Sequence, residues 1–193
     1  MEHWVQKAVF MAGAVALVAI RAPHGQRSRS VRTARSFRGA LESTLLAVAM
    51  IAFFLPFAWV FSPLLSFGDY PFEMWRFVLG VACLVLGLWY FHRSHADLGT
   101  NWSITLELRE GHALVTQGVY EHVRHPMYAA LLLYSLGNAL VVTNWIAGPS
   151  YGVAMLLLFA LRVGPEEQMM REQFGAQYDA YCSRSKRIVP FVW

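Results

Sequence analysis

The sequence predicts an all-α integral membrane protein of about five transmembrane helices followed by a C-terminal amphipathic helix. Three observations carry this reading. Of the 193 residues, 56% are hydrophobic and 15% are charged, whereas soluble domains carry about 25% charged residues. The apolar residues gather into runs, several long enough to cross a hydrocarbon core of about 30 Å. The charges lie mainly between the runs, with arginine concentrated in one connection and acids in the next.

The first run spans about 5–20 and is short for a crossing, although Lys7 can extend it by reaching outward. A cleaved signal peptide is the rival reading, but there the positive charge precedes the apolar stretch, and here it follows. The second run, 40–61, is long enough to span, and neighbouring helices can accommodate Pro56. The third covers 75–91, from beside Arg76 to His92-Arg93. The apolar stretch 128–163 is too long for one crossing at about 1.5 Å per residue. Asn144 and Gly148-Pro149 punctuate it, which predicts two short antiparallel helices, 128–143 and 150–163. All five fall within a single domain, 1–193, with a polar segment at 94–127 and a polar tail at 164–193.

Charge sets the orientation. Arg21, Arg27, Arg29, Arg32, Arg35 and Arg38 share one connection with no acid. The positive-inside rule makes that connection cytoplasmic. The next connection, 62–74, holds Asp69 and Glu73 with no lysine or arginine. The expected arrangement therefore has the N-terminus outside and the C-terminus cytoplasmic, together with both long polar segments. A net charge of +4 is too small to argue for nucleic acid, and the arginine patch sits between membrane helices. Cys83 lies in an apolar run and Cys182 in the tail, so no disulfide is assigned, and no cluster has zinc-ligand spacing. The end of the chain, Pro190 to Trp193, lacks a prenylation cysteine.

The polar segments are read more coarsely. Loose alternation over 106–115, with turn signals at Gly111 and Gly118, predicts extended or irregular structure. In the tail, Pro165 suits the first position of a helix and Glu166-Glu167 suit its first turn. Met170, Phe174, Tyr178 and Tyr181 recur on one face, which predicts an amphipathic helix able to lie on the membrane or fold over a site.

Three polar clusters edge the membrane runs: His112-Ala113-Leu114-Val115 with Tyr120, Arg124-His125-Pro126-Met127-Tyr128, and Arg162 with Glu166-Glu167. The last two lie at the same end of one helical hairpin, so chain geometry alone brings them close. Singly, each fits a snorkelling arginine, an interfacial tyrosine or a helix-capping carboxylate. Together they mark a site at the membrane boundary.

The ordered set is more specific than its parts. Gly118-x-Tyr120, Arg124-His125-Pro126-x-Tyr128, Glu166-Glu167, Phe174-Gly175, Tyr178-x-x-Tyr181, Arg187 and Pro190 follow one another at spacings that resemble the isoprenylcysteine carboxyl methyltransferase family and the related phospholipid N-methyltransferases. The resemblance covers roughly 101–190. It implies an S-adenosylmethionine-dependent transferase with a cytoplasmic cofactor site. It also implies a cofactor pocket lined by His112, Ala113, Leu114, Val115, Tyr120, His125, Pro126, Met127, Tyr128 and Glu166. Arg162 matches a substrate-binding position and is paired with Glu166 as the catalytic set. A family glutamine upstream of His112 falls near Thr105 or Glu107, where this sequence departs from the pattern. The implied partners are membrane lipid and a lipophilic or prenylated acceptor, with no nucleic acid and no metal. The short chain reads as a minimal prokaryotic member, expected in a bacterial inner membrane.

The residue types suit methyl transfer. A zwitterionic methionine end needs an acceptor, Glu166, and a donor, His125. Adenine needs an aromatic wall, Tyr120 or Tyr128. An in-line displacement onto an anionic acceptor needs alignment and exclusion of water more than an acid or base. Arg162 is then the orienting charge for an acceptor carboxylate. Two other chemistries share parts of the pattern. A phospholipid amine N-methyltransferase would need an acceptor that first loses a proton. A membrane sterol-type reductase using NADPH shares the Arg-His-Pro-x-Tyr segment, but tends to lack the Glu166-Glu167 pair and would want more basic residues for the cofactor's phosphates.

Overall fold

Each of the five apolar runs becomes a helix in the computed structural model. It describes residues 3–29, 33–36, 39–99, 107–109 and 113–189, with backbone alone for 27–29, 33–36 and 107–109. The helices are α1 (Trp4–Arg29), α2 (Ala40–Phe61), α3 (Met74–Leu98), α4 (Pro126–Val141) and α5 (Ala147–Phe174), followed by the short α6 (Ala176–Arg184). Two strands, β1 (Thr33–Ser36) and β2 (Glu107–Arg109), lie in the α1–α2 and α3–α4 connections. Four helices are long and apolar enough to cross a membrane. The fifth, α4, has 16 residues, about 24 Å, and is shorter than a core of about 30 Å.

Several expected boundaries move, each for a physical reason. The helix expected at 5–20 continues to Arg29, so Arg21 and His24 are helical rather than part of a loop. The helix expected at 75–91 continues to Leu98. Gly148-Pro149 does not separate the last two crossings, because both residues fall in the first turn of α5, where a missing N–H costs nothing. The turn is made at Asn144 instead. Its side-chain oxygen accepts from the backbone N–H of Ile146 (3.0 Å) and Ala147 (2.8 Å), satisfying donors that the start of a helix leaves open. Pro165 likewise does not begin a helix. It lies inside α5, and the absence of a Cβ on Gly164 removes part of the clash that a residue preceding proline normally meets. The expected amphipathic tail helix is split, since Gly175 at φ +52° ends α5 and starts α6.

The closest helix pair is α3–α4. A Cβ added to Gly87 would lie 2.7 Å from the Tyr134 backbone nitrogen, and one on Gly137 would lie 2.7 Å from that of Leu84. Glycine is what allows these backbones to meet. Between α2 and α5, the Ser150 hydroxyl donates to the Ala52 carbonyl at 3.0 Å, and Phe53 meets Tyr151 edge-on at 5.4 Å. Helix α1 buries Phe10, Ala14 and Leu17, and its Gly13 faces the Tyr134 ring. Outward-facing residues such as Val15, Val78, Val85, Val153 and Leu156 are exposed and apolar, as a lipid-facing surface requires.

The two ends of the bundle differ. At one end Asn144 ties the α2–α3 connection to the α4–α5 turn, donating to the Leu65 carbonyl (2.6 Å) and the Asp69 carboxylate (2.8 Å). There α1 meets α2 through the Lys7 ammonium donating to the Val60 carbonyl at 3.0 Å and through Phe10 against Phe57. At the other end β1 pairs antiparallel with β2, with Ser36 opposite Glu107 and an irregularity between Thr33 and Arg35. That pairing joins the arginine-rich connection to the polar segment before α4. The site is built at this end.

Candidate functional site

A cavity of about 520 Å³ opens at the β1–β2 end of the bundle. Its polar part begins with the start of α4. His125 is the N-cap residue of that helix and Pro126 its first residue, a position where proline's fixed φ is already helical. One turn on, the Tyr128 hydroxyl donates to Glu166 Oε2 at 3.2 Å. His125 Nδ1 lies 3.6 Å from Glu166 Oε1. Because α5 runs unbroken through Gly164-Pro165, Arg162 and Glu166 do share a face four residues apart, with Arg162 Nε 3.9 Å from Glu166 Oε2. On its far side Arg162 meets Glu42 of α2, Nη2 to Oε1 at 3.5 Å.

A second carboxylate stands behind the first. Glu167 is 1% exposed and accepts from Arg124 Nε at 3.1 Å and from both Arg187 Nε (3.2 Å) and Nη2 (3.0 Å). His125 Nε2 is 3.5 Å from the same group. His125 therefore stands between two carboxylates. Burial alone would pull its pKa down, but Glu166 and Glu167 outweigh burial and hold it above the ordinary 6.5.

The tail is fastened to this centre by backbone. Arg124 N–H donates to the Lys186 carbonyl (2.7 Å), His125 N–H to the Arg187 carbonyl (2.9 Å), and Lys186 N–H to the His122 carbonyl (2.9 Å). Arg124 also donates to the Ser185 carbonyl, and the Tyr181 hydroxyl to the Tyr120 carbonyl. Tyr178 and Tyr181 are thus buried over the cavity rather than laid on the membrane. Tyr120 in turn donates to the Ser94 carbonyl at 3.3 Å. Burial, followed by the Glu166 charge, pushes the Tyr120 phenol well above its ordinary range, so it remains a neutral donor. Gly118, at φ +63°, sets this segment against α3: a Cβ there would strike the Asp97 carboxylate, which accepts from Val119 N–H at 3.0 Å.

The rest of the cavity is apolar. Leu17 and Val18 of α1 face Leu46, Ala49, Met50, Phe53 and Phe54 of α2 across it, with Leu131, Tyr151, Met155 and Leu158 forming the floor. The helices α1 and α2, joined at the opposite end, leave this groove between them.

Of the residues expected from the sequence, Ala113, Leu114, Val115, Tyr120, His125, Pro126, Met127, Tyr128, Arg162 and Glu166 all line the one cavity. His112 and Thr105 lie outside the described residues, and Glu107 opens β2 with its backbone alone described. Sequence reasoning missed Arg21, which lines the cavity, and Glu42, the acid in the first turn of α2. It also left Glu167 without a role distinct from that of Glu166. The signal for Arg21 was present. Phe10, Ala14, Leu17, Arg21 and His24 recur every three or four residues, which continues the buried face of α1 past the apolar run. Glu42 reads locally as a carboxylate suited to a helix start.

The chain is similar to known membrane methyltransferases. Residues 79–172 match the sequence model of the isoprenylcysteine carboxyl methyltransferase family. Protein-S-isoprenylcysteine O-methyltransferase B of Arabidopsis thaliana is 32% identical over 120 residues, 61% of each chain. The Homo sapiens protein-S-isoprenylcysteine O-methyltransferase is 31% identical over 120 residues, 61% of this chain and 42% of that one. The solved structure of a eukaryotic intramembrane Ras methyltransferase superposes with a TM-score of 0.56 at 26% identity, covering 81% of this chain and 55% of that one. The chain thus spans about half the length of the relatives it matches. The matched segment, just under half of this chain, holds most of α3, all of α4 and the cavity-lining part of α5, and over it this multi-pass integral membrane protein is similar to the isoprenylcysteine carboxyl methyltransferase family.

Proposed function

We propose that the protein transfers a methyl group from S-adenosylmethionine to the carboxylate of a lipophilic acceptor, an isoprenylcysteine or a close chemical relative. One observation carries this reading: a single cavity joins the polar centre at Glu166, His125 and Tyr128 to an apolar groove between α1 and α2. Its volume lies in the range of about 300–1,000 Å³ usual for small-molecule sites. The names of the relatives, which are protein-S-isoprenylcysteine O-methyltransferases, support the same chemistry.

The residues fit the cofactor. Glu166 accepts from its amino group and His125 donates to its carboxylate. Tyr120 and Tyr178 provide aromatic faces, with Leu114 and Val115 beside them. When bound, S-adenosylmethionine supplies an electrophilic methyl group on a cationic sulfur. The chain's own contribution is alignment and exclusion of water. The α6 tyrosines close the cavity, the groove holds the acceptor's hydrocarbon, and Arg162 orients Glu166 while facing the acceptor. A carboxylate is already an anion at neutral pH, so no base is required.

In this reading α1 to α6 act as one domain in a bacterial inner membrane, with the site on the cytoplasmic side and the N-terminus opposite. The β1–β2 pairing supports it by bringing the arginine-rich connection to the site end. The test is methyl transfer from labelled S-adenosylmethionine to S-farnesyl-N-acetylcysteine, with a phosphatidylethanolamine vesicle in parallel. A base-labile methyl ester, lost in Arg162→Ala and partly recovered in Arg162→Lys, is the expected product. A base-stable methylamine would overturn the carboxyl reading.

A further inference from the structure

Helix α1 lies outside the segment that matches the family, yet it sends a cation into the cavity. Arg21 lines the cavity one turn beyond Leu17 and Val18, which wall the apolar groove. It therefore stands where the groove meets the polar centre. Its placement is fixed by packing on both sides. Leu17 is 5% exposed, and three residues past Arg21 the His24 ring approaches the His95 ring of α3 at 5.0 Å. His95 is itself fully buried, with its Nδ1 2.9 Å from the Phe91 carbonyl. That contact sets the rotation of α1 and turns Arg21 inward.

The charges around it point to an anion. Arg21 of α1 and Arg162 of α5 both line the cavity, so two guanidinium groups from different helices face it. Arg162 already lies 3.5 Å from Glu42 and 3.9 Å from Glu166. Arg124, the third arginine of the cavity wall, is committed to Glu167 and Ser185. Guanidinium groups on the wall of one cavity turn N–H donors toward it, and a carboxylate can accept from two such groups at once.

We propose that Arg21 is a substrate-binding residue: together with Arg162 it grips the carboxylate of the lipophilic acceptor, while the hydrocarbon lies in the groove between α1 and α2. This rests on the acceptor class given above. Arg21 gives the site selectivity for an acid over a neutral lipid of the same shape, and places the anion at the polar end of the groove.

The experiment is equilibrium binding of S-farnesyl-N-acetylcysteine and of its neutral carboxamide to the purified full chain, wild type and Arg21→Gln. S-adenosylmethionine affinity is measured on each as the control for an intact site. Wild type should prefer the acid over the carboxamide by roughly ten-fold or more, the usual scale of one charge-assisted hydrogen bond. Arg21→Gln should lose that preference, keep carboxamide and S-adenosylmethionine affinity within a few-fold, and regain part of the preference as Arg21→Lys. Equal weakening of acid and carboxamide would reduce Arg21 to a wall residue and overturn the proposal. An unchanged preference in Arg21→Gln, or no preference in wild type, would also overturn it. Acid binding that depends on Arg21 with no methyl ester formed would sustain the proposal and sink the activity reading instead.

Discussion

Arg187 grips Glu167 as a two-bond fork, Nε to Oε1 at 3.2 Å and Nη2 to Oε2 at 3.0 Å. One partner lies in the tail and the other on α5, so this pair fastens the last described segment of the chain to the wall of the cavity. Arg124 completes the cluster from the start of α4. Glu167 does not line the cavity, whereas its neighbour Glu166 does. The two adjacent acids therefore have separable jobs.

The first prediction follows from that separation. Glu167→Ala leaves Arg124 largely buried without its acid, and removing one partner of a buried pair costs about 3–5 kcal/mol. The variant should unfold at lower temperature in detergent and release the tail to protease at Tyr178 and Tyr181. Glu166→Gln should do neither. Equal thermal loss in both variants would contradict the assignment.

Cofactor affinity should behave the opposite way. Glu166→Gln and His125→Asn each remove a charge-assisted contact, worth about 1.5–3 kcal/mol, or roughly 10- to 150-fold in affinity. Titration of S-adenosylmethionine into each folded variant measures this. Affinities equal to wild type would return both residues to a structural role.

The environment of His125 predicts a pH dependence. Its pKa is raised in the folded protein above the ordinary 6.5. The folded state therefore binds the proton more tightly than the unfolded chain, so the stabilisation is complete below pH 6.5 and is lost as pH rises through the raised value. Thermal stability measured from acid to alkaline conditions should fall over that window in wild type. In His125→Gln the fall should be smaller. A wild-type profile that rises over the window would show the sign to be wrong.

The α3–α4 contact sets a packing prediction. Gly87→Ala places a Cβ 2.7 Å from the Tyr134 nitrogen and 2.9 Å from its Cα. Backbone cannot rotate away as a side chain can, so the helices must part. Overpacking of this kind costs about 1–3 kcal/mol. Gly39→Ala, just before α2, meets nothing within 4 Å and is the control for added bulk. A lower melting temperature is expected for Gly87→Ala, with Gly39→Ala less affected.

The sequence by itself determined the class of fold and most of the polar half of the site. Apolar runs and arginine placement are local properties, and in lipid each spanning run has to satisfy its backbone internally as a helix. Arg124-His125-Pro126-x-Tyr128 and Arg162 to Glu166 were legible because one helical hairpin brings both clusters to the same end. Only the tertiary structure decided where those helices stop. The buried face of α1 continues past its apolar run to Arg21 and His24, because contact with α3 rather than composition holds it. Pro165 reads locally as a helix start, yet α5 passes through it and keeps Arg162 in register with Glu166. Glu42 meets Arg162 from 120 positions away, and Glu167 collects arginines from two other segments. Such pairings depend on how helices pack and on where a buried charge finds its partner, and no local window of sequence contains both members.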